Sequence, residues 1–206
     1  MTEWLIDGPD SAPATVVLAH GAGAPMDSPF MNTVAEGLAA RGLRVVRFEF
    51  PYMAQRREDG RKRPPNPQNV LLQAWRELVG ELPTTGKRII GGKALGGRMA
   101  SLVAEELGVD GLVCLGYPFH PPGKPDRLRT EHLQTIRTPT LIVQGERDTF
   151  GRRDEVNGYS LADTIELAWM PDGDHSFKPR KRSGYTEGGN LEQAVEAVAR
   201  FVERLR

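Results

Sequence analysis

One cysteine, Cys114, is all that 206 residues offer for covalent bridging, so no internal disulfide framework holds the fold. It stands in the apolar run GLVCLG, where a thiol is ordinarily a buried strand side chain. The chain also lacks any stretch of about 18 apolar residues, the length a bilayer-spanning helix requires. The N-terminal MTEWLIDGPD has neither a basic leader nor a long apolar core, and the expectation is a cytosolic protein. An excess of one charge is missing too: 27 Lys plus Arg balance 27 Asp plus Glu. That leaves no net field to attract nucleic acid or an anionic membrane, so a small molecule or a protein is the default partner. The four histidines, His20, His120, His132 and His175, show no paired ligand spacing, and no metal or other cofactor is expected.

What is present is a recurrence of short apolar runs: TVVLAH (15–20), RVVRFEF (44–50), RIIGG (88–92), GLVCLG (111–116), TLIVQG (140–145) and TIELAWM (164–170). Their near-continuous apolar character suits parallel strands covered on both faces. Alternation with helical patterns predicts a single α/β domain over 1–206, with a mostly parallel sheet of about six or seven strands and helices on both faces.

Ser28-Pro29 offers a helix cap and a preorganised first turn, followed by the stripe Phe30, Val34, Leu38 and a closing Gly42. Val70, Leu71, Ala74, Trp75 and Leu78 form a second stripe, with Gly80 as its expected end. A capping box of Asn190 and Gln193 is expected to open the last helix, whose apolar face carries Leu191, Ala194, Val195, Val198, Val202 and Leu205. Two breaker-rich stretches, RREDGRKRPPNPQ (56–68) and FHPPGKPDRLR (119–129), read as solvated loops that lie on the side of a parallel sheet where ligands bind.

Chemistry concentrates at GGKALGGR (91–98). A strand before it and a helix after it give the frame of a nucleophile elbow, G-x-S-x-G, with Ala94 where that motif has serine. Gly92 and Gly96 fit the crowded turn such an elbow needs. Acyl transfer further requires a base and a carboxylate to orient it, arriving in the chain order nucleophile, acid, histidine. Asp148 in GERDTFG and His175 in GDHSF supply them, each just beyond an apolar run. Backbone donors for an oxyanion are expected from Ala22, in LAHGAGAPM, and from Leu95, with Gly23 as an alternative to Ala22. A Walker loop is excluded because Lys93 is followed by Ala94 and Leu95, and HGAGAPM lacks the third glycine of a dinucleotide fingerprint. Met26, Phe30, Arg98, Tyr117 and Phe119 are candidates to line a cleft, although aromatic residues near strand ends more often belong to the core.

On GGKALGGRMAS, LAHGAGAPMDSPFM, YPFHPPGKP, GERDTFG and GDHSF, the chain resembles the α/β-hydrolase superfamily over nearly its whole length. It is more narrowly similar to a small, lidless, dienelactone-hydrolase-related group with the pattern GGKS[LM]GGRMAS. A eukaryotic branch of that group includes testis-expressed protein 30 and the hydrolase-like region of a non-specific-lethal complex subunit. The resemblance implies a nucleophile at position 94, Asp148 as acid, His175 as base, no large lid, and hydrolysis of a small ester or related acyl substrate.

The departure at Ala94 leaves three accounts. Serine has been replaced by alanine to silence the site, the nucleophile was lost naturally and the fold kept for binding, or another residue has taken over. Ser101 falls inside a helix and Cys114 inside a strand, which disfavours the last. The survival of Asp148, His175 and the elbow glycines favours the first.

Overall fold

The six apolar runs fold as neighbours in one sheet. A computed structural model describes residues 3–83 and 85–205; Met1 and Thr2, with which the N-terminal segment read above begins, lie outside them. In chain order the elements are β1 (Leu5–Asp7), β2 (Ala14–Ala19), α1 (Pro29–Ala40), β3 (Arg44–Phe48), α2 (Pro51–Asp59), α3 (Gln68–Glu81), β4 (Lys87–Lys93), α4 (Leu95–Leu107), β5 (Gly111–Leu115), β6 (Thr140–Gly145), α5 (Arg153–Val156), β7 (Ile165–Met170) and α6 (Glu187–Arg204). The sheet has seven strands in the order β1-β3-β2-β4-β5-β6-β7. All pairs are parallel except β1 with β3.

Alternate residues of the central strands supply two cores. Val17 and Ala19 of β2 join Leu71, Trp75 and Leu78 of α3 and Met99 and Val103 of α4. Val16 and Leu18 join Met31, Val34 and Leu38 of α1 and Leu191, Val195 and Val198 of α6. Helices therefore cover both faces, as the unbroken apolar runs require. Between β5 and β6, the regular structure among the described residues is a single short turn, His132–Gln134, and no helical cap is inserted there. None of the described helices is long and apolar enough to cross a membrane.

The cap at α1 forms as expected: Ser28 Oγ accepts from the Met31 N–H at 3.3 Å. Three local readings are corrected. Residues 56–59 of the charged stretch belong to α2, which Pro51 opens and Gly60, at φ 72°, closes. Charge-rich residues stay helical there because Arg57 bridges Glu49 and Asp27, at 2.8 and 2.7 Å. α3 runs through Gly80 to Glu81 and stops at the extended Leu82. α6 begins before the expected cap, with Thr186 Oγ1 accepting from Gly189 N–H at 3.0 Å. The buried Asn190 is inside the helix, where its amide donates to Pro171 O at 2.9 Å and Phe177 O at 2.8 Å. β1 was not foreseen: three residues at a sheet edge carry too little periodicity to register.

Candidate active site

In the sheet order, the chain turns one way from β2 to β3 and the other way from β4 to β5, so β2 and β4 flank a topological switch point. The loops leaving their C-terminal ends diverge there, which opens a crevice beyond the strands. A cavity of about 560 Å³ occupies that crevice, and Ala22, Gly23, Ala94, Leu95 and His175 line it together.

The elbow is the turn from β4 into α4. Ala94 sits at φ 46°, ψ −112°, a region that residues with a side chain rarely occupy and that costs of order 1–3 kcal/mol. Its N–H donates to Leu115 O of β5 at 2.9 Å, and its carbonyl accepts from Arg98 N–H at 3.0 Å. A side chain at position 96 would bring its Cβ to 2.5 Å from His20 O and 2.6 Å from Ala19 O, while one at 92 would collide with Ala19 O. Glycine at both positions lets α4 start hard against the end of β2. Leu95 is the first residue of α4, where the N–H has no carbonyl within the helix.

Opposite the elbow, the segment after β2 is tied down by its carbonyls. Phe50 N–H donates to His20 Nε2 at 3.1 Å, which leaves the proton on Nδ1 to donate to Gly21 O at 2.6 Å. Burial holds the His20 imidazole below its usual pKa, so this linchpin stays neutral. From α2, Tyr52 Oη donates to Ala22 O at 2.8 Å and Arg56 Nη1 to Gly23 O at 3.0 Å. Three successive carbonyls are thus engaged. Neither the Ala22 nor the Leu95 N–H meets an acceptor among the described residues.

Asp148 is fully buried just beyond β6. Its Oδ1 accepts from Phe150 N–H at 2.8 Å and its Oδ2 from His175 Nδ1 at 2.7 Å. An ionised carboxylate only accepts, so the proton lies on Nδ1 and Nε2 is free to act as a base. The imidazole is stacked on Phe150, with ring centroids 4.2 Å apart, and its side chain keeps 26% exposure. The loop that carries it is pinned by Asn190 at Pro171 and Phe177, and by Arg147 Nε, which donates to Asp172 O at 2.8 Å. Lys93 Nζ donates to the His175 carbonyl itself and lies 5.0 Å from the Phe30 ring centroid. Burial lowers the Lys93 pKa to about 8, against the attraction of Asp148 and Asp174.

The elbow position Ala94, His175 and the expected oxyanion donors Ala22, Gly23 and Leu95 therefore meet at one crevice, with Asp148 behind His175. Of the candidate cleft residues, Phe30 and Arg98 line the cavity, whereas Met26, Tyr117 and Phe119 are buried in the interior. Both breaker-rich loops reach it, through Pro65 and Arg129. His20, Tyr52, Lys93, Arg129 and Phe150 were not foreseen as parts of the site. Lys93, His20 and Phe150 carried a signal, since each stands in a motif, and Arg129 ends a loop expected at the ligand side; Tyr52 depends on tertiary placement. No cluster of His, Cys, Asp or Glu among the described residues is arranged to hold a metal ion.

Among solved structures, the chain is similar to a dienelactone hydrolase from Anabaena variabilis, with 23% identity over all of this chain and 93% of that one and a TM-score of 0.74. It is likewise similar to an α-β serine hydrolase homologue from Coxiella burnetii, at 20% identity over 97% and 90% of the two chains and a TM-score of 0.68. A lidless α/β serine hydrolase from Xanthomonas campestris matches at 21% identity over 96% and 89%, with a TM-score of 0.66. At these identities the likeness is one of fold. The family model described as "Alpha/beta hydrolase domain" matches residues 12–203, and the chain belongs to that family.

Proposed function

We propose that this site is built for acyl hydrolysis of small carboxylic esters by a Ser-Asp-His mechanism, and that Ala94 leaves this chain without the nucleophile. The observation that carries the reading is the Asp148–His175 pair, with Nδ1 protonated and Nε2 free, on the same cavity as the elbow. With serine at position 94, His175 would take the hydroxyl proton as attack on the ester carbonyl begins, then return it to the departing alcohol; water repeats the cycle on the acyl-enzyme. Asp148 would fix the tautomer and stabilise the imidazolium. The N–H groups of Ala22 and Leu95 would hold the oxyanion of each tetrahedral intermediate. A methyl group cannot attack a carbonyl, and loss of the serine in a serine protease costs about a millionfold in kcat.

The test is Ala94→Ser. The expected outcome is turnover of short p-nitrophenyl esters and labelling by a fluorophosphonate, both absent with Ala94 and both abolished again by His175→Ala. A folded Ala94→Ser variant that does neither would overturn the reading.

Ala94 itself favours a second reading, in which the fold serves as a binding or scaffold module and the elbow forms the floor of a pocket. A kinship with the eukaryotic branch that contains testis-expressed protein 30 and the non-specific-lethal complex subunit would suit that role. Under it, Ala94→Ser stays inert while a ligand or partner still protects the cavity residues.

A further inference from the structure

Three side chains that carry positive charge, Lys93, Arg98 and Arg129, line the cavity, and no Asp or Glu does. In a chain whose charges balance overall, that is a local imbalance. Lys93 is accounted for by the His175 carbonyl and by Asp148 and Asp174 nearby. The two arginines are not. Elsewhere Arg41, Arg57, Arg76, Arg153, Arg180 and Arg204 each hold a carboxylate. Among the described residues, neither Arg98 nor Arg129 is paired with one.

Arg98 makes no side-chain hydrogen bond to any described residue, and its Nε is buried without a partner. Arg129 reaches only Pro118 O, at a long 3.4 Å. Both line the one cavity, and burial, with the Arg98 charge second to it, holds Arg129 below the usual guanidinium range. The same charge helps burial depress His132. Two like charges drawn together in a half-buried place, with donors unused, are unfavourable unless an anion completes the arrangement. Guanidinium forks suit a carboxylate, which each can bind with parallel N–H bonds.

Their position gives the anion a place relative to the chemistry. Arg98 is four residues beyond Ala94 and on the same helix face, so it lies one turn, or about 6 Å, along α4 from the elbow. Arg129 comes from the connection between β5 and β6. The same cavity is lined by the apolar Phe30, Leu95, Pro118 and Phe150 as well as by His175.

We infer that Arg98 and Arg129 form a carboxylate-binding subsite, so that the acyl compound this cavity takes is an ester whose own carboxylate is separated from the ester group by a short aliphatic chain. The ester part of this statement rests on the hydrolase reading above; the anion site does not. Arg98 and Arg129 are specificity-determining residues here, with no part in bond making.

Because Ala94 leaves esters uncleaved, binding can be measured directly by titration calorimetry on the chain as it stands. Monomethyl adipate carries the charge on the acyl side and 6-acetoxyhexanoate on the leaving side; dimethyl adipate and methyl 6-acetoxyhexanoate are their neutral counterparts. At least one anionic probe is expected to bind about tenfold or more tighter than its neutral counterpart. That preference should shrink in Arg98→Gln and in Arg129→Gln separately, vanish in the double variant, and be partly kept by Arg98→Lys. The single variants keep the test open if the double variant does not fold. Equal binding of charged and neutral probes, no binding of either anion at millimolar concentration, or a preference indifferent to both arginines would overturn the inference. An Ala94→Ser variant separates the two readings. Turnover without charge preference removes the carboxylate subsite and leaves the hydrolase; arginine-dependent binding without turnover supports the subsite and removes the hydrolase.

Discussion

The ammonium group of Lys93 donates to the backbone carbonyl of His175, so the residue preceding the elbow apex also anchors the loop that presents the imidazole. Strand β4 thereby sets both the position where a nucleophile would stand and the base that would serve it. The amine is buried at a cost, since burial lowers its pKa from 10.5 to about 8. Between those values the unfolded chain binds a proton that the folded chain does not, so this group makes stability rise with pH across that window; below pH 8 its penalty is fully present. Lys93→Met should remove that slope. Urea denaturation at pH 7.5 and pH 9.5 checks it: the unfolding free energy of the Lys93 chain should gain on that of the variant at the higher pH. In an Ala94→Ser background the same change should lower kcat more than it raises KM.

Tyr52 reaches the site through two backbone carbonyls, Gly21 O at 3.4 Å and, chiefly, Ala22 O at 2.8 Å. Tyr52→Phe deletes one hydroxyl and frees the Ala22 carbonyl, with a stability cost of about 1 kcal/mol. If the segment after β2 must be held for its N–H to meet an oxyanion, kcat in the Ala94→Ser background should fall about tenfold with KM little changed, as expected when a donor is misplaced only modestly. An unchanged kcat would dissociate Tyr52 from the oxyanion donors.

Ala94 stores backbone strain at φ 46°. Glycine meets no such penalty, although it loses more entropy on folding. Ala94→Gly should therefore raise the unfolding free energy by about 1 kcal/mol net. A urea midpoint that moves the other way would mean that the elbow is not strained.

Asn190 holds both ends of the His175 loop from within α6. Asn190→Ala strips partners from two carbonyls, one of them in a fully buried bond, and should cost about 2–3 kcal/mol. Faster proteolysis or hydrogen exchange across 171–178 should accompany the loss, which circular dichroism and exchange mass spectrometry together can measure.

The parallel strands and the elbow were legible in the sequence because each is a local pattern: unbroken apolar runs, and glycines around a fixed position between strand and helix. Asp148 and His175 were legible because a parallel sheet delivers every strand end to one edge. β1 was not, being three residues long and antiparallel at the margin. α2 was hidden by charges whose partners, Asp27 and Glu49, precede it in the chain and reach it only in the fold. The start of α6 was misplaced because Asn190 and Gln193 have the spacing of a capping box, whereas Thr186 caps the helix one turn earlier. Tyr52 belongs to the site through the packing of α2 against the segment after β2, and no spacing in the sequence encodes that.

The cavity walls come from the segment after β2, the start of α1, the connection between α2 and α3, the start of α4, the connection after β5 and the loops after β6 and β7. Its lining runs from Gly21 to Ser176 and meets only in the fold, so a compound that fills it binds the folded molecule and not the denatured one. Mass action then makes occupancy visible as heat resistance, worth about 2.7 kcal/mol at a hundredfold excess over Kd. A melting-temperature screen of carboxylic acids and esters would report the cavity's occupant without requiring any reaction at all.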